Sequence, residues 1–265
     1  METDNTNNGG IPVESRMSER LITVAGMLGS DGFRPESAAD VGCDHGYISI
    51  YLVQSGIASS AIAMDVRKGP LSGAKANIEG YGLEDRITTR LSDGLKELKE
   101  GEAQGLVIAG MGGKLMARIL EDGNPVKLGI KKAVLQPQSE LSEFRQYLRD
   151  KDYSILEEKI VFEDGKYYFP MKVSFVSDGG TALDIAVKEL AQKASCDSKT
   201  ALSICNRFGE HNILNKDPLL KCFCEHGIKV TGSILKSLDK SSHEERFTEV
   251  QNEYNELEKV LLYLG

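Results

Sequence analysis

Hydrophobic positions in the first two thirds of the chain switch repeatedly between two periods. From Ser18, the residues Leu21, Val24, Ala25 and Leu28 recur at helical spacing, and Gly29 with Asp31-Gly32 stops the run. Short apolar runs at 38–41, 61–64, 87–91, 106–109 and 133–135 are strand-sized, and helical patterns lie among them. Ile48, Tyr51 and Leu52 mark one such helix, and Leu71, Ala74 and Ile78 mark the next, with Pro70 in its first turn and Gly80 and Gly82 at its end. Residues 114–120 and 141–149 supply two more. Strands alternating with helices predict an α/β fold with a mostly parallel, doubly wound sheet. Two further strand-like runs, 153–162 and 167–176, flank Glu163-Asp164-Gly165-Lys166, whose Asp-Gly favours a tight turn, so the sheet is expected to end in an antiparallel hairpin.

After Ser177 the pattern becomes helical throughout. A Gly-Gly break precedes Leu183, Val187 and Leu190, then Ala201, Ile204 and Phe208. Phe247, Val250, Tyr254, Leu257, Leu261 and Leu264 repeat with alternating spacings of three and four, a heptad seam. Leu220, Cys224, Ile234 and Leu238 form a weaker version before Lys240-Ser241-Ser242, so two helices are expected to pair as an antiparallel coiled-coil hairpin packed on the main domain. The division expected is a disordered stretch at 1–17, rich in Asn and Gly, a main domain at 18–177, and a helical linker with the hairpin at 178–265.

Composition narrows the class. The 265 residues carry 32 Lys+Arg against 40 Asp+Glu, a net charge of −8, which argues against a basic coat for bulk nucleic-acid packaging and leaves room for a local basic patch. Five cysteines without a CxxC pair, no leader-like start and no run of about 20 apolar residues point to a cytoplasmic protein with no membrane partner and no disulfide framework. Cys222, Cys224 and His226 have metal-like proximity, but on one helix their side chains diverge, and no metal is expected.

The chemistry gathers at the strand ends. Asp40-Val41-Gly42-Cys43-Asp44-His45-Gly46-Tyr47 joins the first strand to the first following helix, where glycines let a ligand approach backbone N–H groups. Its D-x-G-x-x-x-G spacing differs from the dinucleotide fingerprint, and Asp44 would put a carboxylate where a pyrophosphate belongs. Negative charge there suits an amino group or a sulfonium, both carried by S-adenosylmethionine (SAM); a glycine turn capped by Asp44 is the bland alternative. Asp65, followed by Val66, ends the second strand, where a carboxylate can take two ribose hydroxyls. Asp93-Gly94 follows the third, where it can face an adenine amino group or simply make a turn. After the fourth strand, Gly110-Met111-Gly112-Gly113 leaves room for a ring-nitrogen nucleophile to align.

The string ADVGCDHGY, the acidic Asp65, the AGMGG loop and Leu135-Gln136-Pro137-Gln138 with Phe144-Arg145 downstream resemble the bacterial tRNA adenine-22 N1-methyltransferase family. The likeness runs over about 18–176 and resumes from Phe208-Gly209 through Asp217-Pro218 into the terminal hairpin; Cys43, Gly46, Ile48 and Ser49 depart from the D-x-G-S-D-H-A-Y-L-P form more usual in its first loop. The resemblance implies the Rossmann-like seven-stranded SAM-dependent methyltransferase fold and methyl transfer from SAM to N1 of an adenine in the D-arm of tRNA; a monomer is expected. It implies a cofactor site of Asp40, Gly42, Asp44, His45, Gly46, Asp65, Val66, Asp93, Gly94, Gly110, Met111 and Gly112. For catalysis the candidates are Asp44, near the charge that develops on the base, Tyr47, which could stack or donate, and Gln136, which could read an adenine edge. Phosphate contacts are expected from Arg20, Lys114, Lys132, Arg145 and Arg149, with Arg16, Lys131 and Lys151 as further cations. Two other readings stay open, a SAM-dependent methyltransferase of a small molecule or protein and a non-catalytic RNA-binding module.

Overall fold

The computed structural model describes residues 11–176, 181–238 and 243–265. The Gly-Gly break, the turn at Lys240-Ser241-Ser242 and the first ten residues of the stretch expected to be disordered lie outside these. Within 11–17 the expectation of disorder is corrected: Val13–Arg16 wind a 3-10 turn, Val13 is fully buried, and its N–H donates to Oε1 of Gln54 at 3.1 Å. One apolar side chain docks this segment, a signal too short to show as periodicity.

The described residues then form β1 (Ser37–Val41), β2 (Ser60–Asp65), β3 (Ile87–Leu91), β4 (Gly105–Met111), β5 (Lys132–Pro137), β6 (Ser154–Glu158), β7 (Val161–Glu163), β8 (Lys166–Tyr168) and β9 (Met171–Ser174). Seven of them make one sheet in the order β3-β2-β1-β4-β5-β9-β6, with β1 to β5 parallel and β9 antiparallel to both neighbours. Helices α1 (Glu19–Met27), α2 (Tyr47–Gln54) and α3 (Lys68–Gly80) accompany the first strands, and α4 (Gly113–Gly123), α5 (Pro125–Leu128) and α6 (Leu141–Asp150) the later ones. Ser18 starts α1 by accepting the N–H of Leu21, as a capping hydroxyl should. All five residues of β1 are buried, because helices cover both faces of a parallel sheet. On one face Ile108, Leu135 and Met171 pack with Met116, Phe144 and Leu148 of α4 and α6; on the other Val107 and Val134 meet Val24, Leu28 and Leu52 of α1 and α2.

The terminal hairpin is not two continuous strands. Pro170, which lacks an N–H, interrupts the second run, and β7 and β8 pair as a separate ribbon around Asp164-Gly165, both at positive φ as a tight hairpin turn requires. The ribbon leans on α1, where Oε1 of Glu163 accepts the backbone N–H of Arg20 at 3.1 Å.

The remaining helices are α7 (Ala182–Lys193), α8 (Ser198–Phe208), α9 (Glu210–Leu214), α10 (Pro218–Ser237) and α11 (Glu244–Leu264). Asp197 and Asp217 cap α8 and α10 through the N–H groups of Thr200 and Leu219, and Pro218 occupies the first turn of α10. Val250 and Leu257 of the heptad seam are buried between α10 and α11; Val260 and Tyr263, off that seam, are buried as well, in the cluster that includes α7 and α8. At Gly227 a Cβ would stand 2.9 Å from Cδ1 of Leu257, so glycine sets how closely the pair approaches. On α10, Cys224 is buried and Cys222 exposed, so the two thiols diverge.

A buried ionic seam holds these helices to the sheet, and it corrects two expected phosphate contacts. Arg145 is fully buried: its Nε donates to Oε1 of Glu158 at 2.7 Å and its Nη1 to the carbonyls of Asn206 and Arg207 at 2.9 and 3.0 Å. Arg149 forks onto both carboxylate oxygens of Glu210 at 3.0 and 2.7 Å and donates from Nε to Asn206 at 2.8 Å. Burial opposes charge on Glu210, and the fork from Arg149 more than offsets it, leaving the carboxyl below its ordinary range. Helical periodicity turns both arginines inward with Phe144 and Leu148, away from any phosphate. Gly209, at φ +89°, is required here, since a Cβ would strike the Glu158 carboxylate at 2.4 Å. Lys132 is corrected too: it begins β5, at the end of the sheet opposite the glycine-bearing loops, and pairs with Asp31 at 2.5 Å.

Candidate active site

A cleft of about 470 Å³ runs across the carboxyl ends of β3, β2, β1 and β4 to the loop after β5, where parallel α/β sheets place ligands. It brings together Asp40, Gly42, Asp44, His45, Tyr47, Asp65, Val66, Asp93, Gly94, Gly110 and Met111 from the expected set, and Arg20 from α1. Gly46 and Gly112 do not line it. Gly46 starts α2 at φ +74°, and its missing Cβ makes room for Ala74 of α3 at 3.1 Å.

The first loop is organised differently from the sequence expectation. The N–H groups of Gly42 and Cys43 both donate to the carbonyl of Met64, so neither is available to a ligand. Asp40, 2 % exposed, rather than Asp44, braces the start of α2: its Oδ2 accepts the hydroxyl of Ser49 at 2.8 Å and the backbone N–H of Ser49 at 3.2 Å. Burial, reinforced by the nearby charge of Asp65, pushes the Asp40 carboxyl up to about 6 against the pull of Ser49. Asp44 sits at φ +48° with a 63 % exposed side chain facing His45 at 3.7 Å, free of any capping bond to α2. Burial beside these carboxylates raises the Cys43 thiol far above its ordinary range, so it lines the cleft as an inert apolar group.

Asp65 ends β2 nearly buried, with Oδ1 accepting the N–H of Arg67 at 2.8 Å. The adjoining Val66 is exposed, and Leu115 and Ile119 of α4 face the same space, giving apolar cover suited to a purine ring. Asp93 pairs with Lys96 at 2.5 Å, and that lysine holds its carboxyl below the ordinary range.

The other end of the cleft belongs to β4, β5 and α1. Gly110 is at φ +77°, whereas Gly112 and Gly113 serve the adjacent loop: a Cβ on Gly113 would lie 2.7 Å from the carbonyl oxygen of Ser139, and the N–H of Gly113 donates to that oxygen at 3.1 Å. The N–H of Gln138 in turn donates to Met111 O at 2.8 Å, so the loops after β4 and β5 are joined backbone to backbone. Gln136 is corrected as a base reader. It is fully buried, and its Oε1 accepts Nη1 of Arg20 at 2.7 Å. Arg20 also lies 4.9 Å over the Tyr168 ring and 3.7 Å from Glu163, which fixes it as a wall of the cleft. Lys114 is exposed in the first turn of α4 beside Leu115. Sequence reasoning missed Gln138, Leu21, Leu115 and Ile119 in the lining. For Gln138 a signal existed: Pro137 ends the strand, so the next residue is the loop position that faces a ligand.

Among the described residues no cluster of three or more His, Cys, Asp or Glu is disposed to hold a metal, and no helix is long and apolar enough to cross a membrane. A methyltransferase-domain family model matches residues 17–171. The tRNA (adenine(22)-N(1))-methyltransferase of Bacillus subtilis is 41% identical over 157 residues, 58% of this chain and 63% of that protein, so the matched stretch spans less than two thirds of that relative. The crystal structure of the B. subtilis m1A22 tRNA methyltransferase TrmK superposes with a TM-score of 0.75 at 30% identity, covering 92% of this chain and 98% of that one. The M. capricolum TrmK structure in complex with the cofactor product S-adenosyl-homocysteine gives 0.72 at 26% identity, over 94% and 99%.

Proposed function

The chain belongs to the bacterial tRNA (adenine-22-N1)-methyltransferase family, within the methyltransferase-domain proteins, and from that premise we propose that it transfers a methyl group from SAM to N1 of adenine 22 in tRNA. The observation that carries this reading is one continuous cleft with two unlike ends: acidic side chains and apolar cover at β1 to β3, and glycine, glutamine and a tethered arginine at β4, β5 and α1.

The acidic end suits SAM. The second carboxylate oxygen of Asp65 is the candidate partner of the ribose hydroxyls, Val66 and Ile119 the candidate cover for the adenine, and Asp93 the candidate partner of its amino edge. Asp40 and Asp44 offer negative charge to the amino group and sulfonium. When bound, SAM supplies a sulfonium methyl carbon, to which the N1 lone pair bonds as the C–S electron pair passes to sulfur. The product base is cationic, and Asp44, exposed and unspent, is our candidate for offsetting that charge; Tyr47 is the candidate for stacking. N1 lies on the Watson–Crick edge, so the base must leave its stack at a cost of about a few kcal/mol. Arg20 in the cleft wall and Lys114, exposed in the first turn of α4, are the candidate phosphate contacts, in a protein that acts in the cytoplasm as a monomer.

The test is methyl transfer from labelled SAM to unmodified tRNA with adenine at position 22, beside a transcript carrying guanine there. Incorporation into the adenine transcript alone, recovered as 1-methyladenosine, is the expected outcome. Equal incorporation into both, or turnover of SAM without RNA, would move the activity to another base or another substrate.

A further inference from the structure

The proposed reaction limits how the base can be recognised, and the role assigned to Gln138 rests on that reaction. An adenine offering N1 to a methyl donor cannot have that edge filled by a protein hydrogen bond. The edge that pairs an acceptor with a donor while leaving N1 bare is N7 with the N6 hydrogen on the N7 side, and a primary amide matches it. Two glutamines stand at the end of β5. Gln136 is fully buried and spent on Arg20. Gln138 is exposed, lines the cleft at the end away from Asp65 and Asp93, and its carboxamide makes no hydrogen bond among the described residues. Its backbone is fixed by the bond to Met111 O, so the amide is carried on an anchored loop. Gly110, at the end of β4, lies beside the amide: a Cβ there would stand at ordinary contact distance, 3.6 Å, from Nε2 of Gln138.

We infer that Gln138 is the adenine-specificity residue, accepting N6–H at Oε1 and donating Nε2–H to N7 while N1 stays bare. Guanine offers two acceptors, O6 and N7, on the same edge, and neither rotamer of the amide satisfies both.

The experiment pairs an atom of the base with the side chain. Wild-type chain and Gln138→Ala are assayed on tRNA carrying adenine or 7-deazaadenine at position 22, with SAM affinity measured by calorimetry. On wild type the 7-deaza base is expected to lower kcat/KM about tenfold, and Gln138→Ala to lower it to a similar degree on adenine. On Gln138→Ala the 7-deaza base then costs less than about twofold, because the two changes remove one contact. SAM affinity stays unchanged. An undiminished 7-deaza penalty in the variant, a variant as active as wild type, or weakened SAM binding would each overturn the assignment. Wild-type chain that leaves unmodified tRNA unmethylated instead removes the reaction on which it rests.

Discussion

The cleft and the seam under α6 are built from the same residue types and use them in opposite ways. At the seam Arg145 and Glu158 have no exposure, and Arg149 and Glu210 little; nearly every donor meets an acceptor. In the cleft Asp44 is exposed, Asp65 has engaged one oxygen, and Gln138 none of its amide. Charge that is buried and matched holds elements together; charge left partly unmatched at strand ends remains for a ligand.

The sharpest way to break this contrast is at the seam. Arg145→Ala leaves Glu158 buried without its partner and is expected to lower stability by about 3–5 kcal/mol in denaturant unfolding, while the folded fraction binds SAM as before. A SAM affinity that falls with stability would mean the two regions are one device. Next in size is Asp65→Ala. Losing charge-assisted bonds to two ribose hydroxyls should weaken SAM binding about 30-fold or more in calorimetry, with only a minor change in unfolding midpoint.

The smallest expected effect is a pH profile from Asp40. Its carboxyl titrates near 6, so SAM affinity should fall as pH drops from 7 to 5, because protonation removes negative charge facing a cationic ligand. Folding stability from this group runs the other way. The native state holds the proton more tightly than the unfolded chain, so stability rises as pH falls from about 6 towards 4. Asp40→Asn should flatten both profiles; an unchanged affinity profile would take Asp40 out of the site.

How much of the molecule was legible in the sequence depends on the separation between partners. The parallel strands and the residues at the ends of β1, β2 and β3 could be read because strand, loop and helix are consecutive. On the β4 and β5 side Gly110 and Met111 could be read in the same way, but the wall could not, since Arg20 meets Gln136 across 116 residues and Glu163 across 143. Arg145 and Arg149 looked like surface cations because arginine at a helical position states no direction until its partners, Glu158 and Glu210, are known. Residues 167–176 read as one strand straight across Pro170, so neither the break there nor the ribbon turned onto α1 was legible.

That ribbon makes closure of the cleft a long-range event. The ends of β1, β2 and β3, which carry Asp40, Asp65 and Asp93, follow one another along the chain. The wall made by Arg20 instead joins the first helix to Gln136, Glu163 and Tyr168, across most of the same domain. Joining such distant stretches costs more chain entropy than joining neighbouring strand ends, so the cleft is complete only when the last strands of the domain are in place.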